Sequence, residues 1–121
     1  MLTKLQNLIK LLLDLHKALL DLERENYEKK NGPISNNNEY FGIVINHEDF
    51  QWLRKLSEAI ALIDEEAEQD IINAGNIKEI SGEIKELLSV DNDDEFSQRY
   101  QSALENNRNI FELDKQVKLE L

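Results

Sequence analysis

The apolar positions of the N-terminal segment repeat at helical spacing. Its leucines recur at alternating steps of three and four residues, the a/d spacing of a heptad repeat. This seam comprises Leu5, Leu8, Leu12, Leu15, Leu19 and Leu22. Thr3 is placed to cap the start, with Gln6 at the capping-box position, and Gly32-Pro33 is a strong stop. We therefore predict one helix from Thr3 to Asn31, about 40 Å long.

A second apolar stripe lies beside this seam on the same helix. It comprises Leu2, Ile9, Leu13, His16, Leu20 and Tyr27. A helix that is apolar over so much of its circumference must be covered on several sides. A symmetric dimer that buries the long helices of two copies would supply that cover, so we predict a homodimer or a protein partner.

Residues 32–45 are the least regular stretch. Asn36-Asn37-Asn38 is typical of a loop, and the apolar, β-branched run from Tyr40 to Ile45 resembles a short strand. No partner strand is evident elsewhere, and a lone strand cannot satisfy its backbone groups. We predict a short helical turn or a buried connection packed on the bundle, and the sequence leaves open whether residues 39–45 are helical, extended or irregular.

The apolar pattern of the remaining chain predicts three or four further helices. A second long helix is expected from Asn46, capped with Asp49, to about Asn73, where Gly75 would end it. Its seam comprises Leu53, Leu56, Ile60, Ile63 and Ala67, entered by Phe50 and flanked by Trp52. A shorter helix, opened by Asn76 with Glu79, follows.

The C-terminal part predicts a turn and helix start at 91–94, then a fourth helix. Its buried face comprises Phe96, Tyr100, Ala103 and Leu104. Asn106-Asn107 indicates a break before a last helix, because asparagine prefers caps and turns. The fold class is therefore all-α, a helical bundle of four to five helices with a long N-terminal helix, in a single domain over residues 1–121.

Composition narrows the function classes. The net charge of −11 disfavours nucleic-acid and membrane binding, and the absence of cysteine excludes disulfides and thiol chemistry. Lys10 and Asp14 interrupt the N-terminal apolar run, so we predict neither a signal peptide nor a membrane span and expect a cytoplasmic protein.

Acidic residues provide one candidate site. Glu65 and Glu66 near the end of the second long helix, with Glu83 and Glu86 on the next, are oxygen ligands of the kind that Mg²⁺ or Mn²⁺ prefers. Helical nucleotide pyrophosphohydrolases use such a layout, although Gln69 stands where a third glutamate is needed. A pyrophosphohydrolase-like metal site is thus the alternative function, and an acidic inhibitor or DNA mimic is a third.

His16, Glu23 and Tyr27 share one stripe of the first helix. His16 is interpreted as a core histidine satisfied by a neighbour, because no Glu-x-x-His pair supplies further metal ligands. Trp52 stands beside two basic residues and could anchor a partner. Because it adjoins the Leu53 seam, the alternative is that it packs on the first helix.

Several sequence stretches resemble a family of small bacterial helical proteins without assigned activity. These stretches are 15–28, Gly32-Pro33, 50–57, 63–65, and Phe96 with Arg99-Tyr100 and Ala103-Leu104. They carry leucine-histidine, glutamate-arginine, tyrosine-glutamate, glycine-proline, phenylalanine-x-tryptophan-leucine and aspartate-glutamate motifs. The resemblance covers most of the chain and implies an all-helical cytosolic domain, but no function. The resemblance also singles out six polar or aromatic residues, some of which are expected to form one buried network. They are His16, Glu23, Arg24, Tyr27, Trp52 and Asp64.

These observations favour a non-enzymatic helical protein that self-associates or binds a protein partner. That hypothesis requires no cofactor, whereas the alternative would require Mg²⁺ or Mn²⁺. No nucleophile elbow or phosphate-binding glycine loop occurs in the sequence.

Overall fold

Seven α-helices build the part of the chain that the computed structural model describes, residues 2–90 and 93–121. They are α1 (Leu2–Asn31), α2 (Asn37–Asn46), α3 (Glu48–Gln51), α4 (Arg54–Ala67), α5 (Ala74–Leu88), α6 (Glu95–Asn106) and α7 (Arg108–Glu120). No strand occurs in those residues, so the all-α prediction is confirmed, but seven helices exceed the four to five expected. None of the described helices has the length and hydropathy needed to cross a membrane.

Five of the helices form a closed ring around the core. α1 packs against α4 and α7, α4 against α5, α5 against α6, and α6 against α7. α7 runs antiparallel to α1, since its start lies near Lys17 and Ala18 and its end near Leu5 and Leu8. The leucine seam of α1 faces the core and is buried from Leu5 to Leu19.

The second stripe of α1 is only partly covered. Ile9 is buried, His16 and Leu20 are half-buried, and Leu13 is 52 % exposed. The side chain of Leu2 lies outside the described residues. Most of the apolar surface of α1 is thus covered within a single chain, which weakens the reason for pairing the long helices of two copies.

The ends of α1 partly match the prediction. Gly32 adopts a φ of 87° and donates its N–H to the Glu28 carbonyl at 2.9 Å, which confirms the predicted stop. At the other end the helix already begins at Leu2, so Thr3 lies in the first turn and is not the cap.

The predicted second long helix is wrong, because Trp52 and Leu53 interrupt it between α3 and α4. Phe50, Trp52 and Leu53 are all buried. In a continuous helix, residues two apart project about 200° apart, so Phe50 and Trp52 would face opposite sides. The interruption lets both side chains enter the interior.

The predicted caps around this segment also need correction. Asn46 is the last residue of α2, and His47 caps α3 by accepting the Asp49 N–H on Nδ1 at 3.1 Å. α4 ends at Ala67 rather than Asn73. Asn73, not Asn76, caps α5 and places Gly75 in the first turn.

The predicted helix start and helix break in the C-terminal part agree with the structure. Asp94 caps α6, and Asn107 separates α6 from α7 and caps the latter, which confirms the break. Asp91 and Asn92, in the predicted turn, lie outside the described residues. The apolar run at 40–45 is helical within α2, as the first of the two predicted alternatives has it; the second, a buried connection, does not occur, since no residue of α2 is buried.

A buried hydrogen bond joins α6 to α7, and an ion pair within α7 adjoins it. The Tyr100 hydroxyl donates to Asp114 Oδ1 at 2.6 Å, and Lys118 Nζ lies 3.1 Å from Asp114 Oδ2. Burial, followed by the bond to Asp114, raises the pKa of Tyr100 well above its usual range, so the phenol stays a donor.

Tyr100→Phe is expected to lower the free energy of unfolding by about 1.5–3 kcal/mol, because a buried carboxylate loses its neutral donor. Urea denaturation provides the measurement. Tyr40→Phe is the matched control, since the Tyr40 hydroxyl has no hydrogen-bond partner among the described residues, and it should cost less than about 0.5 kcal/mol. Equal losses in the two variants would contradict the role given to Asp114.

Candidate functional site

α2 and α3 form a layer outside the ring, residues 37–51, which we call the α2–α3 layer. Aromatic contacts attach it to the C-terminal half of α1. Tyr27 of α1 meets the His47 ring edge-on at 5.0 Å and the Phe50 ring at 6.5 Å. Phe50 also contacts the Tyr40 ring at 6.3 Å, so one buried phenylalanine joins α1, α2 and α3.

Arg24 adds a polar contact to the same attachment. Its guanidinium carbon lies 4.5 Å from the centre of the Tyr40 ring, and its Nε lies 3.4 Å from Glu28 Oε1. Burial raises the pKa of Tyr40, which keeps the ring neutral beneath the cation. Glu28 also accepts the Ile34 N–H at 3.0 Å, which fixes the chain where it leaves α1.

Glu23 and Trp52 form the deepest polar contact of this region. Trp52 donates its indole N–H to Glu23 Oε1 at 3.2 Å, and only 8 % of Glu23 is exposed. The Trp52 ring packs on Phe96 of α6 at 5.3 Å. Burial raises the pKa of Glu23, opposed by the Trp52 hydrogen bond and by Arg99. The contact fixes the interruption between α3 and α4 against α1 and α6.

His16 lies in a different place, in a cleft of about 160 Å³ where α2 passes over α1. Val44 and Ile45 of α2 line this cleft, together with Leu53 and Arg54. Burial lowers the pKa of His16, which favours a neutral imidazole. Nothing in the described part of the chain forms a hydrogen bond with its side chain, and the cleft contains no acidic residue.

The six residues selected from the sequence therefore do not form one network. Glu23 and Trp52 meet directly, and Arg24 and Tyr27 hold the α2–α3 layer. Asp64 is exposed on α4 and has no hydrogen bond or ion pair with the other five in the described residues.

The proposed metal ligands are not brought together either. Glu65, Glu83 and Glu86 are exposed, and Glu66 accepts from the Asn76 amide at 3.4 Å. Among residues 2–90 and 93–121, no three acidic, histidine or cysteine side chains are placed to hold a metal ion.

Sequence reasoning missed the outer face of α2. Phe41 and Ile45, one turn apart, are 62 % and 61 % exposed. Glu39 is the one charged residue of this helix, and its carboxylate accepts the Ser35 N–H at 3.0 Å beside the helix start. We call the surface made by Phe41, Gly42 and Ile45 the α2 face. The signal for it is a run from Tyr40 to Asn46 without charge in a highly charged chain.

Comparisons with protein-family models, with curated proteins and with solved structures found no match. The family resemblance stays a prediction.

Glu23→Gln tests the buried carboxylate and keeps an oxygen that accepts from Trp52. Because folding raises the pKa of Glu23, ionisation destabilises the folded chain as pH rises from the ordinary pKa through the raised one. The variant should therefore gain stability relative to the native chain as pH rises above the ordinary pKa of a glutamate, 4.5, measured by urea denaturation. Glu58→Gln removes an exposed carboxylate from α4 as the control. A stability difference for Glu23→Gln that is constant with pH would refute this assignment.

Proposed function

We propose that the protein is a non-enzymatic helical module that self-associates through the α2 face. The observation that carries this proposal is the exposure of Phe41 and Ile45 on a helix that Tyr40 attaches to the bundle through Phe50. Large apolar side chains at i and i+4 form one contact stripe, which is the way that helices recognise one another.

The charge distribution favours a second copy as the partner. Two chains with a net charge of −11 repel each other over most of their surfaces. α2 carries a single charge in ten residues, and that carboxylate is engaged beside Ser35. Interface centres are typically depleted of charge and enriched in aromatic residues, as this face is. Two copies can thus meet here with little like-charge repulsion.

The shape of α2 supports a symmetric contact. A Cβ added at Gly42 would meet no atom within 4 Å, so the helix backbone is open to close approach between Phe41 and Ile45. Two α2 helices related by a two-fold axis would each place Phe41 against the partner helix. Since α2 is only about 15 Å long, the interface is small, and we expect a weak, concentration-dependent dimer.

No observation favours the nucleotide pyrophosphohydrolase alternative. It rested on glutamates that are separated on α4 and α5. The inhibitor or DNA-mimic hypothesis gains no specific support, because six of the eight ion pairs in the described residues join acids to bases one turn apart on the same helix.

Sedimentation velocity from about 1 µM to about 1 mM covers the range of weak to moderate association. The native chain should shift from monomer towards dimer with concentration, and Phe41→Glu and Ile45→Glu should each remain monomeric. Leu119→Glu adds the same charge at a residue of α7 that is 76 % exposed, and it should dimerise like the native chain. A monomeric native chain throughout, or equal loss in all three variants, would refute the proposal.

A further inference from the structure

A cavity of about 400 Å³ lies at the other end of α1, between the start of that helix, α5 and the end of α7. Its apolar lining comes from Leu5 and Leu8 of α1, Ile77 of α5, and Ile72 and Leu121. Small-molecule sites in proteins are typically concave, about 300–1,000 Å³ in volume, and lined mostly by apolar side chains. The cavity therefore has the size and lining of a site for an apolar group.

The charged residues around this cavity are mostly basic. Lys4, Lys78 and Lys85 line it, and Glu120 is its one acidic side chain. None of the three lysines forms an ion pair among the described residues. This clustering stands out in a chain with 25 acidic and 14 basic residues. The local charge is suited to an anion, although the chain as a whole is acidic.

We propose that this cavity binds the carboxylate form of a single-chain fatty acid. The acyl chain would lie against Leu5, Leu8 and Ile77, where burial removes apolar surface from water. The carboxylate would stay at the mouth, within reach of the lysine side chains, whose flexible stems let the ammonium groups gather around it. The apolar lining selects for an acyl chain, and the lysines select for a negatively charged headgroup.

Gly82 provides a way to fill the cavity without disturbing the fold. It lines the cavity from within α5, and a Cβ added there would meet no atom within 4 Å. Gly82→Leu would place an isobutyl group in the space given to the acyl chain. Gly82→Ala is the matched control, because it makes the same favourable backbone change but adds only a methyl group. Thermal melts should show both variants folded, with melting temperatures at or above that of the native chain.

Decanoate is the probe, measured by isothermal titration calorimetry below its micelle concentration. We expect saturable binding to the native chain and to Gly82→Ala, and binding at least about tenfold weaker to Gly82→Leu. Decan-1-ol and decyltrimethylammonium, which share the chain but not the negative charge, should bind more weakly than decanoate.

The lysines are tested with the double variant Lys78→Gln and Lys85→Gln. It should weaken decanoate binding by about five- to tenfold and leave decan-1-ol unchanged. Removing two exposed lysines elsewhere, with Lys10→Gln and Lys115→Gln, controls for net charge and should have little effect. The proposal is wrong if decanoate shows no saturable binding, if it binds Gly82→Leu as it binds the native chain, or if decyltrimethylammonium binds equally well.

Discussion

The broad apolar surface of α1 constrains the position of the other helices of the ring. Its fully buried leucines, Leu12, Leu15 and Leu19, need cover on both flanks, which α4 and α7 supply. α5 and α6 then complete the ring by packing between those two helices. The α2–α3 layer has no place in this ring and is attached from outside through Phe50. Its outer face is consequently the one helical surface where two large apolar residues one turn apart remain more than half exposed in the described chain.

Residue spacing and residue type predicted those parts of the fold that depend only on residues close together in sequence. The leucine seam, the left-handed glycine at Gly32 and the Asn107 cap follow from spacing and from residue type, and each is confirmed. The interruption at Trp52–Leu53 was missed because neither glycine nor proline marks it. It exists because Phe50 and Trp52, two residues apart, are both buried against partners on α1 that are distant in sequence, Tyr27 and Glu23.

The contacts of the polar residues depend on tertiary structure more than the helices do. Glu23 and Trp52 were both selected, but their contact spans 29 residues and depends on that unpredicted interruption. Asp64 belongs to the same sequence motifs yet faces solvent, because it lies beside the buried seam of Leu56, Ile60 and Ile63 and not in it. For residues 40–45 the sequence left a helical turn and a buried connection open, because apolar residues are often exposed singly or at interfaces and their character alone does not fix burial.

The packing of α7 against α1 has a consequence for synthesis of the chain. One flank of α1 can be covered only after α7 has left the ribosome, because those two helices lie at opposite ends of the described sequence. Until then the nascent chain displays a strip of leucines to solvent, to chaperones and to other nascent chains. Completing the core therefore depends on a contact between distant segments, which slows folding relative to a bundle joined only between neighbours. The risk of aggregation is therefore greater for newly made chains than for folded ones.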